Sequence, residues 1–168
     1  LNSDGSEDAA FYGQLGGGFS SSVYGLGVQA DGRIVVAGFF DRLNNVTVNY
    51  LVTLNSSGSV NTAFQANMGS GFGMMVSAIA LQTDGKIVVG GFFDTLNGKT
   101  RYCLLRLNPD GTEDDAFYGK LGAGVTGGNV SGTVVVAPDG RVAIGGSLKF
   151  TGARHYAPFF AVIKSITA

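Results

Sequence analysis

A chain of 168 residues with net charge −1 is long enough for one well-buried core, and it lacks the basic stripe that tracks nucleic-acid phosphates, which excludes nucleic acid as a partner. Hydrophobic residues make up 45% and charged residues 14%, with 28 glycines and no tryptophan, a balance that points away from surface helices and toward strands joined by tight turns. No stretch reaches the ~20 apolar residues of a membrane helix, so membrane insertion is not expected. The lone Cys103 excludes an internal disulfide and a cysteine-rich metal site.

The chain opens on LNSDG at Leu1, read here as the start of a fourth-strand segment over residues 1–12. Leu1 is not an initiator methionine and stands inside a repeat, so the sequence reads as a processed product or as part of a larger chain. The same marker returns as LNSSG at Leu54 and LNPDG at Leu107, at spacings of 53 and 53 residues. A second marker, the pairs Asp31-Gly32, Asp84-Gly85 and Asp139-Gly140, recurs at spacings of 53 and 55. Two markers in step define a repeat of about 53 residues, with unit one at 23–64, unit two at 76–117 and unit three at 130–163.

In unit one, Ile34, Val36 and Phe40 alternate with Val35, Ala37 and Phe39, so both faces of the strand are apolar. Unit two reads most clearly. A strand over Val76 to Leu81 is followed by a tight TDG turn and a returning strand over Lys86 to Phe93. The loop DTLNGKT leads to a third strand at Tyr102 to Leu107, and the NPDG turn at Asp110-Gly111 leads to a short fourth strand around Thr112 to Phe117. No segment keeps a helical period for three turns, so no helix is expected. Unit three repeats the pattern as VAPDGRVAIGGSL, with FFAVIKSITA after it.

A strand dry on both sides must sit in a sheet covered on both sides, and without helices the cover must be other sheets. The fold class is therefore all-β, with four-stranded antiparallel blades of a propeller, three units per chain. Two chains would combine into a six-bladed ring as a dimer, or the chain would form part of a larger ring, with the N-terminal segment completing the last sheet. A β-trefoil is the alternative: it explains the count of three but expects strands with one solvated face. The glycine pairs Gly90-Gly91 and Gly145-Gly146 mark either close approach of sheets or a bulge.

LNPDGTEDDAF at Leu107 to Phe117, followed at a distance by an apolar strand, DG and GG, resembles the delta-60 repeat family, and the likeness runs from Leu1 to about Ile163. It weakens in the last copy, where Ser147 and Leu148 replace the double phenylalanine. The resemblance implies a propeller of bacterial exported or surface proteins, with relatives among phage structural proteins, and it brings no catalytic motif. An extracellular, cell-surface or virion location follows as an expectation.

Catalytic chemistry has little to stand on. His155 is the only histidine, no GxSxG elbow is present, and the glycine-rich links lack a phosphate loop's lysine. Acids at Asp4, Glu7 and Asp8 and at Asp110, Glu113, Asp114 and Asp115 fail calcium-loop spacing, and they read as turn and cap residues. No catalytic residue, metal or cofactor is assigned. A carbohydrate-processing enzyme with acids near the ring axis is the alternative function.

The segments DRLNNVTVNY, DTLNGKTRY and KFTGARHY vary in charge between repeats, which makes Arg42, Asn45, Lys99, Arg101, Arg154, His155 and Tyr156 the candidate binding residues. The expected function is a noncatalytic structural module, or one that binds protein or glycan, with itself or further repeats as partner.

Overall fold

The computed structural model describes residues 1–121, 125–150 and 160–163. After a short helix α1 (Ala9–Leu15), unit one contains β1 (Val23–Val28), β2 (Ile34–Gly38), the two-residue strands β3 (Arg42–Leu43) and β4 (Val46–Thr47), and β5 (Leu51–Leu54). Helix α2 (Thr62–Met68) leads into β6 (Val76–Leu81), β7 (Ile87–Gly91), β8 (Thr95–Leu96), β9 (Lys99–Thr100) and β10 (Leu104–Leu107). Helix α3 (Asp115–Lys120) then precedes β11 (Val125–Val136), β12 (Val142–Phe150) and β13 (Phe160–Ile163). Each unit forms an antiparallel sheet in the orders β1-β2-β5, β6-β7-β10 and β11-β12-β13, while β3-β4 and β8-β9 form small ribbons.

The eight turn residues singled out from the sequence do what their chemistry suggests. Gly32, Gly85, Gly111 and Gly140 hold φ of 83°, 82°, 93° and 80°, a region that costs glycine nothing. Each preceding aspartate accepts a hydrogen bond from the backbone N–H two residues on: Asp31 from Arg33 and Asp84 from Lys86 at 3.1 Å, Asp110 from Thr112 at 2.9 Å, Asp139 from Arg141 at 3.1 Å. The carboxylates are spent on shaping turns.

Among the described residues each of these sheets carries three strands rather than four. Where a fourth strand was expected around Thr112 to Phe117, a single bridge from Leu107 to Glu113 gives way to α3. Residues 1–12 likewise form a turn and the start of α1, and this segment lies on the first sheet rather than completing the third. Capping is the physical reason. Asp8, Asn61 and Asp114 each accept from the backbone N–H three residues on, at 3.0, 3.2 and 3.1 Å, which satisfies an orphan donor of the first turn and starts a helix. Each helix then lowers an aromatic, Phe11, Phe64 or Phe117, onto a sheet.

The sheets stack. Every residue of β7 is buried, so the solvated face that a trefoil requires is missing there. One face of the second sheet, with Ile87, Val89, Leu105 and Leu107, packs on Val35, Ala37 and Leu51 of the first, and Phe64 and Met68 of α2 lie in the same layer. Its other face, with Ala78, Val88 and Leu104, packs on Val134, Val142 and Ile144 of the third, together with Phe117 of α3. We call these the leading and trailing faces: each trailing face meets the next unit's leading face across a layer that also holds the intervening helix.

The glycine pair of unit two combines both readings offered by the sequence. A Cβ on Gly90 would sit 2.6 Å from Val130 and 2.9 Å from Val134 in the next sheet, so Gly90 marks close sheet approach. A Cβ on Gly91 would collide with the Met75 carbonyl oxygen, beside the register shift between Val76 and Ala78.

Candidate interaction surface

The ribbons β3-β4 and β8-β9 lie at the same place in units one and two and are anchored by one leucine each. Leu43 and Leu96 are buried and bridge to Phe19 and Phe72 respectively. Their turns put Asn44 and Asn97 at φ of 53° and 49°, the left-handed region that asparagine tolerates. Asn97 accepts from the Ser70 N–H at 3.2 Å, which ties the ribbon to the end of α2.

This anchoring leaves the ribbon edges in solvent. The Arg42 side chain is 63% exposed and only 3.9 Å from Asp41, while Asn45 and Lys99 are exposed. Arg101 differs from the expectation that it decorates a free edge. It donates to Glu113 through Nε, lies 3.6 Å from Asp115 and stacks 4.2 Å from the centre of the Tyr118 ring. The hydrogen bond to Glu113 holds its pKa above the ordinary value against the opposing effect of burial. Arg101 therefore fastens α3 to the ribbon. Arg154, His155 and Tyr156 lie outside the described residues.

Beside this fastening, Asn67, Met68, Asn97, Lys99, Glu113 and Asp115 line a cleft of about 220 Å³. That is smaller than the ~300 Å³ at which enclosed ligand sites begin, and it suits a single side chain or sugar ring better than an extended substrate. The positions corresponding to Lys99, Glu113 and Asp115 in unit one are Val46, Val60 and Thr62, so the charge present in unit two is missing from unit one.

A buried polar cluster escaped the sequence reading. Asp114 receives Lys86 Nζ at 2.9 Å and Arg106 at 3.0 Å (Nε) and 2.8 Å (NH2), besides capping α3. Arg106 also donates to Gln82 at 3.1 Å and lies 4.7 Å from the centre of the Phe117 ring. Burial pushes the Asp114 carboxyl up, but the hydrogen bonds from Lys86, Phe117 N–H and Arg106, with the Arg106 charge, outweigh it and bring its pKa down to about 2. The signal was an arginine inside the apolar run LLRL. In unit one the same places hold Thr53 and Asn61, and the buried Thr53 hydroxyl oxygen has no partner.

Cys103 is buried and donates to the Gly128 carbonyl at 2.9 Å. Burial, reinforced by Asp94, raises its pKa to about 11, so the thiol is inert at neutral pH. Among the described residues, no helix is long and apolar enough to cross a membrane.

The profile of the family described as "Domain of unknown function (DUF5122) beta-propeller" matches residues 29–64 and 82–117. Both segments start at the DG hairpin and end at the capped helix, so the match falls on the repeat defined by spacing and stacking, and it supports a β-propeller repeat family. No curated protein and no solved structure matches the chain.

Proposed function

We propose that this chain is a noncatalytic interaction module, a block of stacked propeller-type sheets of delta-60 character that works in an exported, surface or virion assembly and meets protein or glycan through its ribbon edges. The observation that carries this reading is the division of labour among charged groups. Asp31, Asp84, Asp110 and Asp139 shape turns, Asp8 and Asp114 cap helices, and Glu113 holds Arg101, so these acids already have scaffold partners. Arg42, Asn45 and Lys99 are exposed on short ribbons with no comparable duty. Function on such edges matches the general placement of binding residues on loops carried by a rigid scaffold.

The test is an array of defined bacterial and host glycans and immobilised surface polysaccharides, probed with the intact chain and with R42A/N45A/K99A. The triple variant should melt within a degree or two of the parent and lose about tenfold or more of any retained binding, since ribbon contacts of this kind are worth about 1.4 kcal/mol or more together. Release of reducing ends from any polysaccharide, or binding unchanged in the variant, would contradict the reading.

A further inference from the structure

The β1 edge of unit one's leading face lies open, while Val36, Val52 and Leu54 deeper in the same face are buried in a cluster with Phe11 and Leu15 of α1. Tyr24, Leu26 and Val28 of β1 are 52%, 65% and 62% exposed, whereas Ile79 and Leu81, the counterparts of Leu26 and Val28, are half-buried against the first sheet, and Ser77, the counterpart of Tyr24, donates to the Val130 carbonyl of the third. The helices show the same contrast: Phe64 and Met68 of α2 are buried between two sheets, and Phe11 and Leu15 of α1 are only half-buried. Three adjacent large apolar residues in solvent on one strand mark a surface that is normally covered.

The chain's own junctions state what the cover must look like. Between units one and two, Gly25 faces Ile79 and Gly27 faces Leu81, where a Cβ on each glycine would lie 3.2 and 2.8 Å from the opposing side chain. Between units two and three, the corresponding residues are Ala78 with Val134 and Ala80 with Val136, all four in or against one core cluster. Each of these four rungs therefore holds four side-chain carbons, none plus four in the first junction and one plus three in the second. A close-packed interface has a fixed gap to fill, so size on one sheet is traded against size on the other.

We propose that the leading face of unit one docks the trailing face of a further sheet of this repeat, one whose first strand places glycine opposite Leu26 and alanine opposite Val28. Those two residues restore the four-carbon rungs. A second copy of this chain offers only unit three's trailing face, where Thr133 and Val135 occupy the positions of Gly25 and Gly27 and Val135 is 53% exposed. Val135 against Val28 makes six carbons, and Thr133 against Leu26 makes six carbons plus a hydroxyl, so an unaltered second copy is oversized at both rungs. The proposal rests on the module reading and sharpens the partner's chemistry. The two fail separately, because ribbon binding on the array does not depend on sheet docking.

The test trims the oversized face, to four carbons at the Val28 rung and from six carbons plus a hydroxyl to five carbons at the Leu26 rung. Sedimentation of the intact chain from about 1 to about 100 µM should show a monomer, while T133A/V135A should self-associate at least about tenfold more tightly and Leu26→Ser added to it should reverse the gain. Circular dichroism and thermal melting establish that each variant is folded; should T133A/V135A be unfolded, Val135→Ala alone, which removes only solvent-facing methyls, is measured with the same expectation. Association of the unaltered chain as tight as that of the variant would overturn the size rule, and a folded variant that stays monomeric would overturn the docking surface itself.

Discussion

Asp114→Ala is expected to cost about 3–5 kcal/mol, the range for removing one partner of a buried ion pair, because Arg106 would be left nearly fully buried without its carboxylate and α3 would lose its cap. Asp114→Asn separates the two effects. Asn61 already performs the capping role in unit one, so the amide keeps the cap and loses only the charge. R106T/D114N installs unit one's residues in unit two, and this double variant should recover part of the single-variant loss, which chemical denaturation in a double-mutant cycle will measure.

The same residue gives the pH dependence a sign. A carboxyl depressed from 3.8 to about 2 contributes stability that is fully present above its unfolded value and is lost as pH falls through its folded value. Its contribution of about 2 kcal/mol should therefore disappear between about pH 4 and about pH 2, and that acid-labile step should be missing in D114N. The aspartates at positions 4, 31, 110 and 139 are lowered in the same direction by their turn hydrogen bonds, but they sit in solvent, where screening leaves them little weight in stability.

Phe93→Ala should destabilise the chain by about 3–5 kcal/mol, lowering the melting temperature by roughly 10 °C. Phe93 is fully buried in the layer between the first and second sheets and packs against Phe72 with ring centres 4.7 Å apart. Phe40 and Phe19 repeat the pair in unit one at 4.5 Å. By contrast Phe39, next in sequence to Phe40, is 45% exposed, and Phe39→Ala should change stability by less than about 1 kcal/mol. A melt of the two alanine variants side by side distinguishes a core position from a surface one within a single FF pair.

Much of this architecture was legible because it is written locally. The DG turns announce themselves through an aspartate that bonds two residues on and a glycine that takes positive φ, and Ile87, Val88 and Val89 show by bare alternation that both faces of a strand are dry. The helices were not legible, since seven residues such as TAFQANM make too few turns to display a period; a cap from Asn61 and the burial of Phe64 and Met68 decide the conformation instead. The Lys86, Arg106 and Asp114 cluster was hidden for a different reason: its members come from two strands and a helix cap, and only the sheet register brings them together. Of the edge residues, Arg42, Asn45 and Lys99 are exposed on the ribbons, whereas Arg101 is held by Glu113, a partner twelve residues away in the turn before α3 that no local pattern announces.

Stacked sheets require the middle strands to have cover on both sides, and thiol labelling under native conditions tests that most directly. Val88→Cys and Val89→Cys place a thiol on opposite faces of β7, Leu26→Cys places one on the open face of β1, and the inert Cys103 supplies a silent background. Both β7 thiols should react only as the protein unfolds globally, while the Leu26→Cys thiol reacts at nearly the rate of a free thiol. Fast native labelling at either Val88→Cys or Val89→Cys would show that one side of the strand meets water, and the stacked-sheet account would be wrong.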